Sequence, residues 1–189
     1  MTRRLHMGGH KGVSFFGVEK WDITEITGAD VLYSAKGVIK ESEMNATSLF
    51  DSALTLYSTE GSSLSIRAML HLVKTYANAN GKCAKVISGR NAHKTFVSAS
   101  ALLDIDVKWL YSTENGVLSC KIDSSTLENV IIEENPTAVY VTSPDYLGGV
   151  EDVKSIAKIC HKHGVLLLVD NAQYSHYLSS SCPSSHQMV

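Results

Sequence analysis

The stretch Lys162-His163-Gly164-Val165-Leu166-Leu167-Leu168-Val169-Asp170-Asn171-Ala172 decides the fold. Its five aliphatic residues, 165–169, run without polar alternation, so the strand they form has no wet face. A strand of that kind needs cover on both sides. Just upstream, residues 153–163 read as an amphipathic helix closed by Lys162, His163 and Gly164. The same rhythm continues toward the N-terminus. Extended runs are expected at 137–142, 107–111 and 83–87, and helices at 124–134 and 94–103. A further helix is read from Ser62 or Ser63 to Tyr76, because Ile66, Met69, Leu70 and Val73 recur at helical spacing and residues 78–81 supply a stop. Before it, residues 41–56 read as a helix with Met44, Leu49, Ala53 and Leu56 on one side. Alternating strands and helices make an α/β protein: a mostly parallel sheet between two helix layers. Residues 1–40, rich in Gly and polar residues, are read as an arm, and 41–189 as the main domain.

The bulk properties narrow the partners. Of 189 residues 44% are hydrophobic, enough to fold and bury a core. Seventeen Lys and Arg against nineteen Asp and Glu leave a net charge of −2 and no charged block, which argues against a nucleic acid partner. No aliphatic run approaches the roughly 20 residues of a membrane span, so no membrane is expected. Two arginines near the start are followed by no apolar segment, and the expected location is cytoplasmic. Cys83, Cys120, Cys160 and Cys182 lack C-x-x-C spacing, which fits reduced thiols better than a disulfide frame or a zinc site, and no metal is expected.

In an open α/β sheet ligands bind at the carboxyl ends of the strands, and three places there carry suitable chemistry. Gly61, Ser62 and Ser63 open a helix: Gly61 permits the turn, while two hydroxyls and the helix dipole suit an anion such as phosphate. An ordinary Ser N-cap is the alternative. Asp170 ends the aliphatic run, where a carboxylate is costly without a cationic or donating partner. A protonated heterocycle would serve, and an Asp capping the next turn is the alternative. His93, in Arg90-Asn91-Ala92-His93-Lys94, is placed to stack on a flat ligand, or else to cap a helix. His161 and His163 are read as cations at a helix C-terminus, and His71 as packing.

Taken in order, several motifs are similar to one family. They include Leu5-His6-Met7-Gly8-Gly9-His10-Lys11-Gly12, Asp22-Ile23-Thr24-Glu25, Gly28-Ala29-Asp30, Gly37-Val38-Ile39-Lys40-Glu41 and Gly61-Ser62-Ser63. Arg90-Asn91-Ala92-His93-Lys94, Thr142-Ser143-Pro144-Asp145-Tyr146 with Gly148, and Leu168-Val169-Asp170-Asn171-Ala172 complete the series. The chain resembles the major region of the ornithine/lysine/arginine decarboxylases, pyridoxal-phosphate enzymes of fold type I (aspartate aminotransferase-like).

The resemblance implies a three-layer large domain whose cofactor is pyridoxal 5'-phosphate. It gives the phosphate to Gly61, Ser62 and Ser63, ring stacking to His93, the ring nitrogen to Asp170 and the lining of the ring to Ala172, with His93 and Asp170 in catalytic roles. It implies a basic amino acid as substrate, a homo-oligomer as parent enzyme, and a seven-stranded sheet whose first strand lies near residues 56–58. Another fold-type I reaction, or a non-catalytic dimerising fragment, are the alternatives. Gly8 replaces a family Pro, Ser65-Ile66 replace Gly-Asn, and Asn171 and Gln173 replace Glu and His. The family's Schiff-base lysine lies well beyond its D-E-A aspartate, and none of the 19 residues after Asp170 is lysine. The expectation is therefore a domain incomplete at its C-terminus and not competent alone.

Overall fold

The computed structural model describes residues 13–21, 28–112 and 119–172. Motif residues 5–12 and 22–25, Gln173, Cys182 and the serine-rich end lie outside them. The chain divides into two compact units, Met1–Tyr57 and Ser58–Val189, whereas the sequence reading drew its border at residue 40.

The first unit holds a short 3-10 helix, Val18–Trp21, and helix α1, Val38–Leu49. No side chain of the N-cap residue Gly37 closes α1. Asp30 does so from a distance, because its carboxylate accepts from the backbone N–H groups of Lys36, Gly37 and Ile39 as well as Val31. Burial raises the Asp30 carboxyl, but these donors outweigh it and hold the group at about 2. The helix expected over 41–56 starts earlier and stops at Leu49, since Asp51 turns into the left-handed region at φ 48°. Residues 56–58, expected as a first strand, form no ladder among the described residues.

The second unit is a parallel four-stranded sheet of order β2-β1-β3-β4. Its strands are β1 (Lys85–Gly89), β2 (Asp106–Leu110), β3 (Ala138–Thr142) and β4 (Leu166–Asp170). Helices α2 (Gly61–Ala79) and α3 (Lys94–Leu102) cover one face, and α4 (Ser124–Glu134) and α5 (Val153–His163) the other. Three layers follow, as the unalternating runs required. On the first face Ile66, Leu70, Val73 and Ala77 of α2 meet Val86, Phe96, Tyr140 and Leu168. On the second, Leu127, Ile131, Ile156 and Cys160 meet Ile87, Val139 and Val141. Each large side chain so buried contributes about 1.5–3 kcal/mol. His71, expected in packing, is exposed on α2.

Capping fixes where the helices begin. Asp123 and Asp152 accept from Thr126 and Ser155 at the starts of α4 and α5. Asn135 and Gly164 end those helices in left-handed backbone. The strand order reverses between β1 and β3: the chain leaves β1 toward β2 and returns on its other side. Ligands of doubly wound sheets bind outside the carboxyl ends at such a point.

Candidate cofactor-binding site

At those carboxyl ends lies a cavity of about 260 Å3 lined by Ser62, His93, Thr142, Pro144, Tyr146, Asp170 and Ala172. Four elements build it: the start of α2, the start of α3, the end of β3 with its following loop, and the end of β4. Of the residues expected in the site, Ser62, His93, Asp170 and Ala172 line it together. Gly61 and Ser63 stand beside Ser62 without lining it. Gly61 carries φ +63°, a backbone that favours glycine, and thereby sets the direction of α2. The Ser63 hydroxyl is bonded to Thr95 Oγ1 at 3.2 Å, tying α2 to α3.

The helix end beside Ser62 is open. Its N-cap residue Glu60 makes no side-chain cap bond. Among the described residues neither Ser62 nor Ser63 caps it, so the alternative of a simple Ser N-cap does not hold. Uncapped N–H groups and the dipole of a 19-residue helix leave a place for an anion.

His93 does cap. Its backbone is extended at φ −62°, ψ 147°, and Nδ1 accepts from the Thr95 N–H at 3.1 Å. That bond orients the imidazole and leaves Nε2 to carry its proton. The Tyr146 ring faces it, centroids 6.5 Å apart at 37°. Helix capping and lining of the cavity thus coexist in one side chain.

Asp170 is the last residue of β4 and only 7% exposed. Its Oδ2 accepts from the Tyr140 hydroxyl at 2.7 Å and its Oδ1 from the Ala172 N–H at 3.2 Å. Both donors are neutral. Among the described residues no Lys, Arg or His nitrogen lies within 4 Å of this carboxylate. Burial first, then the charge of Asp170, push the Tyr140 phenol far above its ordinary value, so it remains a donor. The Thr142 hydroxyl opposes this slightly but stands outside hydrogen-bonding geometry. Thr142 Oγ1 is buried with no partner, in the wall of the cavity.

The loop after β3 is held from within. Asp145 Oδ1 accepts from the N–H groups of Leu147 and Gly149 at 2.9 and 2.8 Å. Burial raises the Asp145 carboxyl, yet these donors hold it below its usual range. A Cβ on Gly149 would come within 2.8 Å of Asp145 Oδ2, which explains the glycine. The sequence reading quoted Thr142, Pro144 and Tyr146 as a motif without giving them a place in the site. Tyr140 it passed over, though a tyrosine inside an otherwise apolar strand signals a hydroxyl that needs a partner. A second cavity of about 260 Å3, beside α5 and β4, is lined by Ala157, Cys160, His161 and residues 164–167 and lacks a convergent polar set.

The model of the Orn/Lys/Arg decarboxylase major domain matches residues 7–188. The chain belongs to this family. It is 31% identical over 162 residues to an arginine decarboxylase of Bacillus subtilis (strain 168), covering 82% of this chain and 31% of that protein. With an arginine decarboxylase of Halalkalibacterium halodurans it shares 29% over 187 residues, 92% of this chain and 37% of the relative. The chain therefore spans about a third of the length of these relatives. Among solved structures it is similar to a sphingosine-1-phosphate lyase of Burkholderia pseudomallei, with TM-score 0.62 and 17% identity over 72% of this chain and 33% of that one. Mouse CSAD in its apo form gives 0.56 at 19% identity, over 69% of this chain and 31% of that one. The fold is that of the large domain of fold-type I pyridoxal-phosphate enzymes.

By that resemblance the family's cofactor is pyridoxal 5'-phosphate, and the residues of the cavity fit it. Its volume stands near the roughly 300 Å3 at which small-molecule clefts begin. An open helix end suits the phosphate, a carboxylate without a cation suits a protonated ring nitrogen, and the orphaned Thr142 hydroxyl suits a polar ligand.

Proposed function

We propose that this decarboxylase-family chain binds pyridoxal 5'-phosphate and supplies the cofactor-holding part of a decarboxylase of basic amino acids. The observation that carries the reading is Asp170: a buried carboxylate with neutral donors only, in one cavity with the open end of α2 and the His93 ring. Ser62, with Gly61 and Ser63 shaping the turn, holds the phosphate through its hydroxyl and the N–H groups of α2. His93 lies against the ring and fixes its plane, and Ala172 lines the ring beside it. Asp170 keeps the ring nitrogen protonated. When bound, the cofactor draws off the electron pair released as the substrate's carboxylate departs as CO2. The role of the chain's residues is orientation and charge: a fixed ring plane aligns the breaking bond, and the buried carboxylate stabilises positive charge without reorganising.

Among the described residues that line the cavity there is no lysine. The amine that attaches the cofactor in this family is thus to be sought beyond them, and on the described residues alone binding is non-covalent and turnover is absent. Arginine, lysine or ornithine as substrate, a homo-oligomeric parent and a cytoplasmic location are carried by resemblance and by the charge and hydropathy of the chain.

The test is titration of the purified chain with pyridoxal phosphate, followed by its visible absorbance, then borohydride reduction and mass spectrometry, alongside CO2 release from the three amino acids. Saturable binding with no label on Lys94 or any other described lysine supports the reading. No binding at millimolar cofactor, or a label on Lys94 with CO2 release, overturns it.

A further inference from the structure

Tyr140 occupies the middle of β3, fully buried in the core of the α2 and α3 face. Its register partner across the ladder is Leu168, while Asp170 is opposite Thr142. Tyr140 and Asp170 are therefore diagonal neighbours on one face of the sheet. Such neighbours lie about 7–8 Å apart, too far for short side chains and within reach of an aromatic one. The phenol bridges that diagonal, and Phe96 of α3 packs on its ring at 4.2 Å between centroids. A phenylalanine would fill the same space with no hydroxyl to satisfy, so what the hydroxyl adds is its effect on the carboxylate.

We propose that Tyr140 is a positioning residue for Asp170: it pins the carboxylate from the core side and keeps the proton shared with a bound pyridine on the ring nitrogen. This rests on the pyridoxal phosphate reading above. A carboxylate offers about four acceptor positions. Tyr140 takes one on Oδ2 and the Ala172 N–H one on Oδ1, which fixes the plane of the group and leaves the remaining positions to a ligand. The phenol's donation draws charge toward the core side of the group, so the acceptor positions left to a ligand pull less strongly on that ligand's proton. The positive charge then stays on the ring nitrogen.

The test uses Tyr140→Phe in the whole chain, with near-UV circular dichroism and thermal midpoint to report the fold, and two readouts of the site. One is the Kd for pyridoxal phosphate, the other the 15N shift of ring-labelled cofactor once bound. The expected result is a Kd raised about tenfold, the scale of one hydrogen bond to a charged group, and a 15N signal moved toward that of neutral pyridine. Replacing Tyr140 by 3-fluorotyrosine, a stronger donor of nearly the same shape, keeps the packing and is expected to move the signal the opposite way. Unchanged Kd and 15N shift in both variants overturn the proposal while leaving the cofactor reading intact. An Asp170→Asn chain that binds with the parent's 15N shift removes the ring-nitrogen role of Asp170, and the role of Tyr140 with it, whereas a parent chain that binds no cofactor removes the cofactor reading itself.

Discussion

At the amino end of the sheet Glu134 is met by two ammonium groups, whereas at the carboxyl end Asp170 is met by two neutral donors. Lys85 approaches Glu134 Oε2 at 2.9 Å, Lys108 bonds Oε1, and Lys85 also reaches Asp106 at 3.5 Å. Hydrogen bonds from Lys108 and Lys85 hold the Glu134 carboxyl below its usual range, and the same bonds raise both lysines. That cluster is complete in itself and asks nothing of a ligand. Asp170 is more deeply buried and less well paired, an arrangement that costs stability in isolation and gains when a cation enters. A satisfied carboxylate marks architecture; a buried one without its counter-charge marks a site.

The contrast can be broken most sharply at Asp170. Asp170→Ala is expected to weaken pyridoxal phosphate by about 100-fold or more, on the scale of losing one partner of a buried charge pair, while Glu134→Ala leaves the cofactor Kd unchanged. Equal losses in the two variants, measured by absorbance titration, would erase the distinction. Next in size is His93. Asn is as good an N-cap as the present imidazole, so His93→Asn should keep the thermal midpoint and lose only the ring, with cofactor binding down about tenfold. His93→Ala should lose both. A midpoint that falls as far for Asn as for Ala would make His93 a cap alone. Ser62→Ala removes one hydroxyl from the open end of α2 and is expected to cost severalfold in affinity for inorganic phosphate and cofactor alike, read by calorimetry.

The smallest effect is at the amino end and appears as acid sensitivity. Because the folded Glu134 carboxyl lies below the ordinary 4.5 of a free glutamate, its contribution is present above that pH and is lost as pH falls through the lowered value. The lysines, being raised, contribute below 10.5 and lose that contribution as pH rises through their folded values. Glu134→Gln should therefore flatten the fall of stability below pH 4.5 and cost only a few degrees of thermal midpoint near neutrality. Chemical denaturation at pH 7 and pH 3 checks it; an unaltered acid limb would take Glu134 out of the account.

The second unit was largely legible in the sequence. Helices Ser124–Glu134 and Val153–His163 stand at the residues expected for them, and the strands shift by one or two residues. The signals used are local: an amphipathic stretch, a Gly after the last turn of α5, an unalternating apolar run between helices. Helix α1 was misjudged because its cap, Asp30, acts from seven residues before Gly37, a distance no local pattern encodes. Residues 56–58 were expected as a strand from the family resemblance, but a strand exists only through its ladder partner.

Sequence alone fixed what kinds of chemistry the carboxyl ends of the strands carry: a glycine-serine turn, a histidine and an aspartate, each following or preceding a regular element. It also fixed that the sheet is covered on both sides, since aliphatic runs cannot face water. Whether those groups meet is a matter of strand order, and only the folded chain places β3 and β4 side by side so that Ser62, His93 and Asp170 share one cavity. The Tyr140 bond to Asp170 belongs to the same level, because a diagonal across a ladder depends on register, and register is set by long-range packing between segments 30 residues apart.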